Sequence, residues 1–230
     1  NYLMPLRLLK FGLQKEYTEP RMFRSPEHLR DHYDVVIIGG GGHGLAAAHY
    51  LANEHGITDV AVLEQRYIGH GGTGRNTSII RSNYLTEEGA KFYQFSIDLY
   101  RDLSRQLDFN LFYSQRGHFT LAHSPASLRT QRWRAEVNKH LGIDSEVVGP
   151  DFIQKTIPQI DLTCGGHQPP ILGALYHPPG AIARHDAVAW AYARGADSKG
   201  VEIHQRTAVT GIEVADGAVM GVHTDLSLIH

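Results

Sequence analysis

The chain has 230 residues, 42% of them hydrophobic and 20% charged, with a formal net charge of −2. That composition suits a folded globular chain of one large or two small domains, and it excludes a polycation that would seek nucleic acid or an anionic membrane. One cysteine, Cys164, excludes an internal disulfide framework and fits a reducing compartment, so a cytoplasmic location is expected.

No apolar run approaches the roughly 20 residues needed to span a bilayer, so no membrane is expected as a partner. The 15 histidines are scattered, without the spacing of a metal site. Residues 1–32 carry Pro5, Pro20 and Pro26 among mixed charges and read as a loosely structured arm, with a helical turn around residues 6–13.

Next comes Asp34-Val35-Val36-Ile37-Ile38, a β-branched apolar run suited to a strand buried on both faces of a parallel sheet. It enters Gly39-x-Gly41-x-x-Gly44, and Leu45–Ala52 follows with high helix propensity. Gly39 permits a tight turn, Gly41 lets backbone approach a pyrophosphate, and Gly44 lets the helix lie close on the strand. The helix N-terminus then offers N–H groups and the positive end of its dipole. A second apolar run, Val60–Leu63, ends at Glu64, 20 residues after Gly44, where a carboxylate accepts hydrogen bonds from a ribose diol. Strand, glycines, helix, strand and acid in that order predict a dinucleotide site, without separating FAD from NAD.

Tyr67–Thr77 (YIGHGGTGRNT) is too glycine-rich for a helix interior, and such a loop either meets a flat ligand or faces solvent. Arg81 follows two large apolar residues, which suits either a bidentate carboxylate contact or a structural ion pair. Glu87–Leu107 reads as an amphipathic helix through Ala90, Tyr93, Ile97 and Tyr100. Residues 111–113 and 118–123 are expected to pair as a hairpin or strand pair around Gln115-Arg116-Gly117.

Ser127–Leu141 reads as a charged surface helix, Val147–Pro150 as a strand end and residues 158–170 as loop. Gly173–Tyr176 is a strand before the turn His177-Pro178-Pro179-Gly180. A helix follows over Ala187–Lys199, with Asp186 as its expected N-cap and Gly200 as its C-cap. Val201–Ile203 is a strand, and Ala208–Val214 with Val219–Thr224 a hairpin turning at Asp216-Gly217.

Four stretches carry a resemblance: the glycine turn with its flanking strands, GGTGRNTSIIRSNYL, FYSQRGHFTLAH and GAIARHDAVAWAYARGAD. From about Arg24 to Val222 the chain resembles the β subunits of heterotetrameric sarcosine oxidases, within the D-amino acid oxidase-like FAD amine oxidases. The resemblance implies an α/β fold: a Rossmann-like FAD-binding domain with part of a mixed-sheet substrate domain. The division is then 1–32 arm, 33–107 first part of the FAD domain, 108–182 substrate segment, and 183–230 second part of the FAD domain.

It further implies non-covalent FAD, held by Gly39, Gly41, Gly42, Gly44 and Glu64. Thr73, Arg75, Asn76 and Thr77 would border the flavin ring, and the strand of Val209 would meet the adenine. Arg81 would bind the substrate carboxylate. His185 would carry covalent FMN, with His177 as the competing attachment residue and Arg184 as a nearby cation. The implied reaction is sarcosine oxidation, electrons passing from FAD to FMN and then to oxygen to give hydrogen peroxide. The implied partners are α, γ and δ subunits. The alternatives are an FAD enzyme for dimethylglycine or glycine without FMN, or an inactive dinucleotide-binding fragment. Family members run well beyond 230 residues, so a fragment without catalytic competence is expected, and the lysine that the family uses near the flavin to activate the amine is not assigned to any residue here.

Overall fold

The computed structural model describes residues 12–13 and 22–229, so the helical turn expected over 6–13 lies largely outside the described residues. The organising sheet is parallel. Strand β1 (Val35–Ile38) pairs with β2 (Val60–Glu64), and β2 pairs on its other edge with β9 (Glu202–Gln205). Between β1 and β2 runs helix α1 (Gly42–Glu54), and helix α5 (His185–Asp197) leads into β9. Ile37↔Val62 and Val62↔Ile203 are in register.

Side chains alternate across this sheet. Val60, Val62 and Ile203, with Val35 and Ile37, face α1 and α5. Ala61 and Leu63, with Val36, face Tyr33, Val222 and Ile229. Both faces of the central β2 are covered, which is why it reads as an unbroken apolar run. Strand β1, at the sheet edge, is only partly buried and its Ile38 is exposed, against the expectation of a strand buried on both faces. The helices approach closely because the core they share is alanine-rich: Ala48 and Ala52 of α1 belong to the same buried cluster as Ala187, Ala191 and Ala193 of α5. A Cβ on Gly195 would stand 2.7 Å from His49 Nδ1.

The second face is closed by an antiparallel sheet of β10 (Val209–Ala215), β11 (Ala218–Thr224) and β12 (Leu228–Ile229). Asp216 and Gly217 sit at φ 51° and 78°, the turn expected there. Ile229 is fully buried in that layer. Arg30 ties the N-terminal segment to this edge through ion pairs with Asp59 and Glu202.

Two further antiparallel sheets form the other half. One places β8 (Ala181–Ile182) between β3 (Ile79–Ile80) and β4 (Ser114–Gln115). The other places β7 (Gly173–His177) between β5 (His118–Ala122) and β6 (Glu146–Val148). The hairpin expected between 111–113 and 118–123 does not form, because β5 and β4 each pair with later strands. Alternation marks a strand but not its partner.

Helix α2 (Glu87–Gln106) begins at Thr86, whose Oγ1 accepts from Gly89 N (3.2 Å). Helix α3 (Pro125–His140) starts two residues before the expected position, because Ser124 caps it and Pro125 suits the first turn. The short α4 (Pro150–Thr156) was not expected; it opens the same way, on Pro150. Asp186 is not the N-cap of α5. It lies inside the first turn, its Oδ1 accepting from Ala187 N (2.9 Å), while Arg184 occupies the cap position. The helix stops at Asp197, and Gly200, at φ 100°, turns the chain three residues later.

Candidate functional site

Gly39 leaves β1 at φ 106°, a conformation that favours glycine, and its N–H donates to Leu63 O (2.8 Å). Gly41 caps α1 in extended conformation. At Gly44 a Cβ would stand 2.1 Å from Gly39 O and 3.2 Å from Ile37 Cγ2, so no larger residue fits between helix and strand. The chain therefore bends from strand to helix at the three glycines, and the first-turn N–H groups of α1 are left without intrahelical acceptors.

Glu64 closes this turn. Its carboxylate accepts from Gly40 N and Arg66 N, each at 2.9 Å, and the side chain is only 7% exposed. Those two bonds aim it at the glycine turn. Thr207 N donates to Glu64 O (2.9 Å), bringing the start of β10, and with it Val209, to the same end of the sheet. Val209 packs beside Leu63 and Val222.

The second glycine-rich loop folds back onto the first. Gly69 N donates to Gly40 O (2.8 Å), and Gly42 N donates to Thr73 Oγ1 (2.8 Å) at the mouth of α1. Thr73–Arg75 is a 3-10 turn, and Asn76 Nδ2 donates to Thr73 O (2.6 Å). Gly39, Gly41, Gly42, Gly44, Glu64, Thr73 and Val209 thus converge. Arg75, Asn76 and Thr77 are exposed at the rim. The residues fit an adenine dinucleotide: a glycine cradle that a Cβ would fill, and a carboxylate held at its side.

Ser78 follows at φ 59°, held there as its N–H donates to Asn76 Oδ1 (2.6 Å). Pairing of β3 with β8 then sets Ser78 beside the start of α5, where its Oγ lies 2.8 Å from His185 Nδ1. His185 is partly buried, with one ring nitrogen engaged by a side chain. Nothing in the sequence pointed to Ser78 as its partner.

His177 differs. It is fully buried, Nδ1 lies 2.6 Å from Asp144 O, and Nε2 lies 3.2 Å from Ser82 N. Nδ1 must donate to the carbonyl and Nε2 must accept from the amide, so the ring is neutral with both nitrogens engaged. Burial pushes its pKa down, against the raising effect of Asp144. The competing attachment role is therefore closed to His177. Arg184 is also committed: it pairs with Asp186 through two nitrogens and lies over the Phe112 ring, and it holds the Asp186 carboxyl below the usual carboxylate range.

Arg81 has no carboxylate partner among the described residues. Its Nη1 donates to Asn83 Oδ1 (2.9 Å), and its guanidinium lies 4.6 Å from the Tyr84 ring centroid. No group of His, Cys, Asp and Glu among the described residues gathers as a metal site. Among them, too, no helix is long and apolar enough to cross a membrane.

Residues 34–229 match the family model of FAD dependent oxidoreductases. The chain belongs to that family. It is 46% identical over 224 residues to the sarcosine oxidase subunit beta of Rhizobium meliloti (strain 1021), covering 97% of this chain and 53% of that protein. The corresponding subunit from an Arthrobacter species is 45% identical, over 91% of this chain and 51% of its own length. Among solved structures, the L-proline dehydrogenase of P. horikoshii superposes with a TM-score of 0.78 at 25% identity, over 87% of this chain and 51% of that one. The chain thus spans about half the length of the relatives it matches, and the α/β FAD-domain fold expected from the sequence is the fold of this family.

Proposed function

We propose that this chain is the FAD-bearing part of a sarcosine oxidase β subunit, working in the cytoplasm with α, γ and δ subunits. The observation that carries the reading is Arg81, a partly buried guanidinium with no acidic partner among the described residues, set just past the strand that pairs beside His185. A cation so placed suits an amino-acid carboxylate. The names of the most similar relatives supply the amine, N-methylglycine.

FAD, when bound, supplies the acceptor for the two electrons lost from the N-methyl carbon, with oxygen as final acceptor to give hydrogen peroxide. Gly39, Gly41, Gly42 and Gly44 hold the pyrophosphate at the α1 mouth, Glu64 the ribose and the Val209 strand the adenine. Thr73, Arg75, Asn76 and Thr77 border the ring. Arg81 anchors the carboxylate and so orients the N-methyl carbon. His185 is the attachment residue for FMN, and Ser78 Oγ fixes its ring.

The test uses the full-length β subunit in its complex. Sarcosine added without oxygen should bleach the flavin absorbance, and Arg81→Gln should raise KM for sarcosine at least tenfold. The peptide containing His185 should carry the mass of FMN. Bleaching by dimethylglycine or glycine but not by sarcosine would replace the substrate, and an unmodified His185 peptide would remove the FMN.

A further inference from the structure

Helix α3 lies across the sheet of β5, β7 and β6, with Gln131, Ala135 and Asn138 buried and the opposite face exposed. Trp133, one of two tryptophans in the chain, stands 58% exposed at the middle of that face. Arg129 lies one helical turn before it on the same stripe, and Arg132 directly precedes it, both exposed. Neither arginine has an acidic partner among the described residues, whereas Glu136 is taken by Lys139 (3.2 Å). The helix carries four arginines and lysines against one acid, in a chain whose net charge is −2. Helix α2 is different: its Lys91, Arg101 and Arg105 are matched within the helix by Glu87, Asp98 and Asp102.

The apolar surface continues from α3 onto α2. Asn138 Nδ2 donates to Tyr84 O (2.7 Å), Tyr84 stacks on Tyr93 with ring centroids 4.0 Å apart, and Phe92 meets Tyr93 edge-on at 5.3 Å. Phe92 is 65% exposed. Trp133 precedes Asn138 by five residues, about 7.5 Å along the helix. One exposed ring would be ordinary, but here exposed rings lie on two helices joined at Tyr84. Aromatic rings beside arginines are the composition of an interface centre, where lysine and glutamate are scarce.

We propose that this face docks another subunit of the complex, through an acidic surface with an apolar pocket for the Trp133 indole. The proposal rests on the reading of the chain as a sarcosine oxidase β subunit and adds the place and chemistry of one contact. Carboxylates of the partner pair with Arg129 and Arg132, whose planar guanidinium groups suit bidentate bonds. The buried indole excludes water from those pairs, which strengthens them beyond ordinary surface ion pairs. A net charge of −2 disfavours nucleic acid at the same arginines. Trp133, Arg129 and Arg132 take no part in the glycine cradle, so changing them leaves flavin binding intact.

The test uses the full-length, FAD-loaded β subunit, tagged and titrated with its partner subunits at low and high salt. Wild type should hold the partner, more weakly at high salt. Trp133→Ala should weaken the complex at least about tenfold at either salt. Arg129→Glu with Arg132→Glu should weaken it as much at low salt and remove the salt dependence. Arg129→Lys with Arg132→Lys should keep the salt dependence and lose part of the affinity. Flavin content and the melting temperature of the isolated subunit should match wild type in every variant. A partner held equally by all variants would overturn the docking face and leave the proposed function standing. A lower melting temperature in isolated Trp133→Ala would overturn it too, placing the rest of the same subunit over the indole. Nucleic acid lost from the arginine variants, with the partner still held, would likewise overturn it. No partner held even by wild type would remove the subunit reading itself.

Discussion

Two glycine-rich stretches behave differently. In residues 39–44, geometry dictates the glycines: Gly39 is at φ 106°, a Cβ on Gly40 would meet Glu64 Cβ at 3.0 Å, and one on Gly44 would overlap Gly39 O at 2.1 Å. In residues 69–77, Gly71 and Gly72 face open space, with nothing within 4 Å of an added Cβ. Only Gly69, at φ 75°, and Gly74, 2.6 Å from Gly69 O, are held by their own surroundings. The first stretch is shaped by the packing of strand on helix and forms without a ligand. In the second, two glycines have no reason in the chain itself, so their reason, if functional, is a molecule laid against the loop.

The largest effect that would break this contrast is at Gly44. Gly44→Ala forces α1 off β1, and overpacking of this kind costs about 3 kcal/mol. Chemical denaturation should show that loss together with loss of bound FAD, and wild-type stability would mean that the close contact is not a constraint. Glu64→Gln comes next. The amide accepts from only one of Gly40 N and Arg66 N and turns its NH2 toward the other, at about 1–3 kcal/mol. FAD affinity, read by flavin fluorescence, should fall with it. Unchanged affinity would separate Glu64 from the ribose.

Legibility in the sequence follows the same contrast. The strand, the glycine turn, the helix and Glu64 are consecutive, and each is dictated by neighbours a few residues away, so they could be read directly. Likewise, Asp216-Gly217 carries its hairpin by itself. The pairing of β5 with β7 and of β4 with β8 joins segments dozens of residues apart, and no local pattern encodes it. Among candidate site residues, Arg81 and His185 came from a motif resemblance. Ser78, whose Oγ lies 2.8 Å from His185 Nδ1, came only from the fold. The histidines make the point: His177 and His185 look alike as residues flanking a turn, and only three-dimensional packing engages both nitrogens of one and a single nitrogen of the other.

The burial of imidazoles has a pH signature. His49, His118 and His177 all have pKa values lowered by burial. Below about pH 6.5 the unfolded chain takes up protons on these rings that the folded chain resists, so stability is full above that pH and falls as pH drops through it. A denaturation midpoint independent of pH between 7 and 5 would contradict the burial. His177→Ala should flatten the slope and, by orphaning Ser82 N, cost about 1–3 kcal/mol at pH 7.5.

The smallest effect is the most discriminating for the second loop. Gly72 sits at φ −57° and ψ −31°, a conformation any residue adopts, and an added methyl meets nothing. By restricting the unfolded chain, Gly72→Ala should therefore stabilise the protein by about 0.4–1 kcal/mol. If residues 71–77 are only a solvent loop, FAD content and the flavin spectrum stay as they are. If the loop lies against the ring, the same methyl that the polypeptide tolerates obstructs the ligand. Flavin affinity then falls while the melting temperature of the FAD-free protein rises. Opposite signs in one variant cannot come from general damage to the fold, so this substitution separates a loop shaped by its own chain from one shaped by a cofactor.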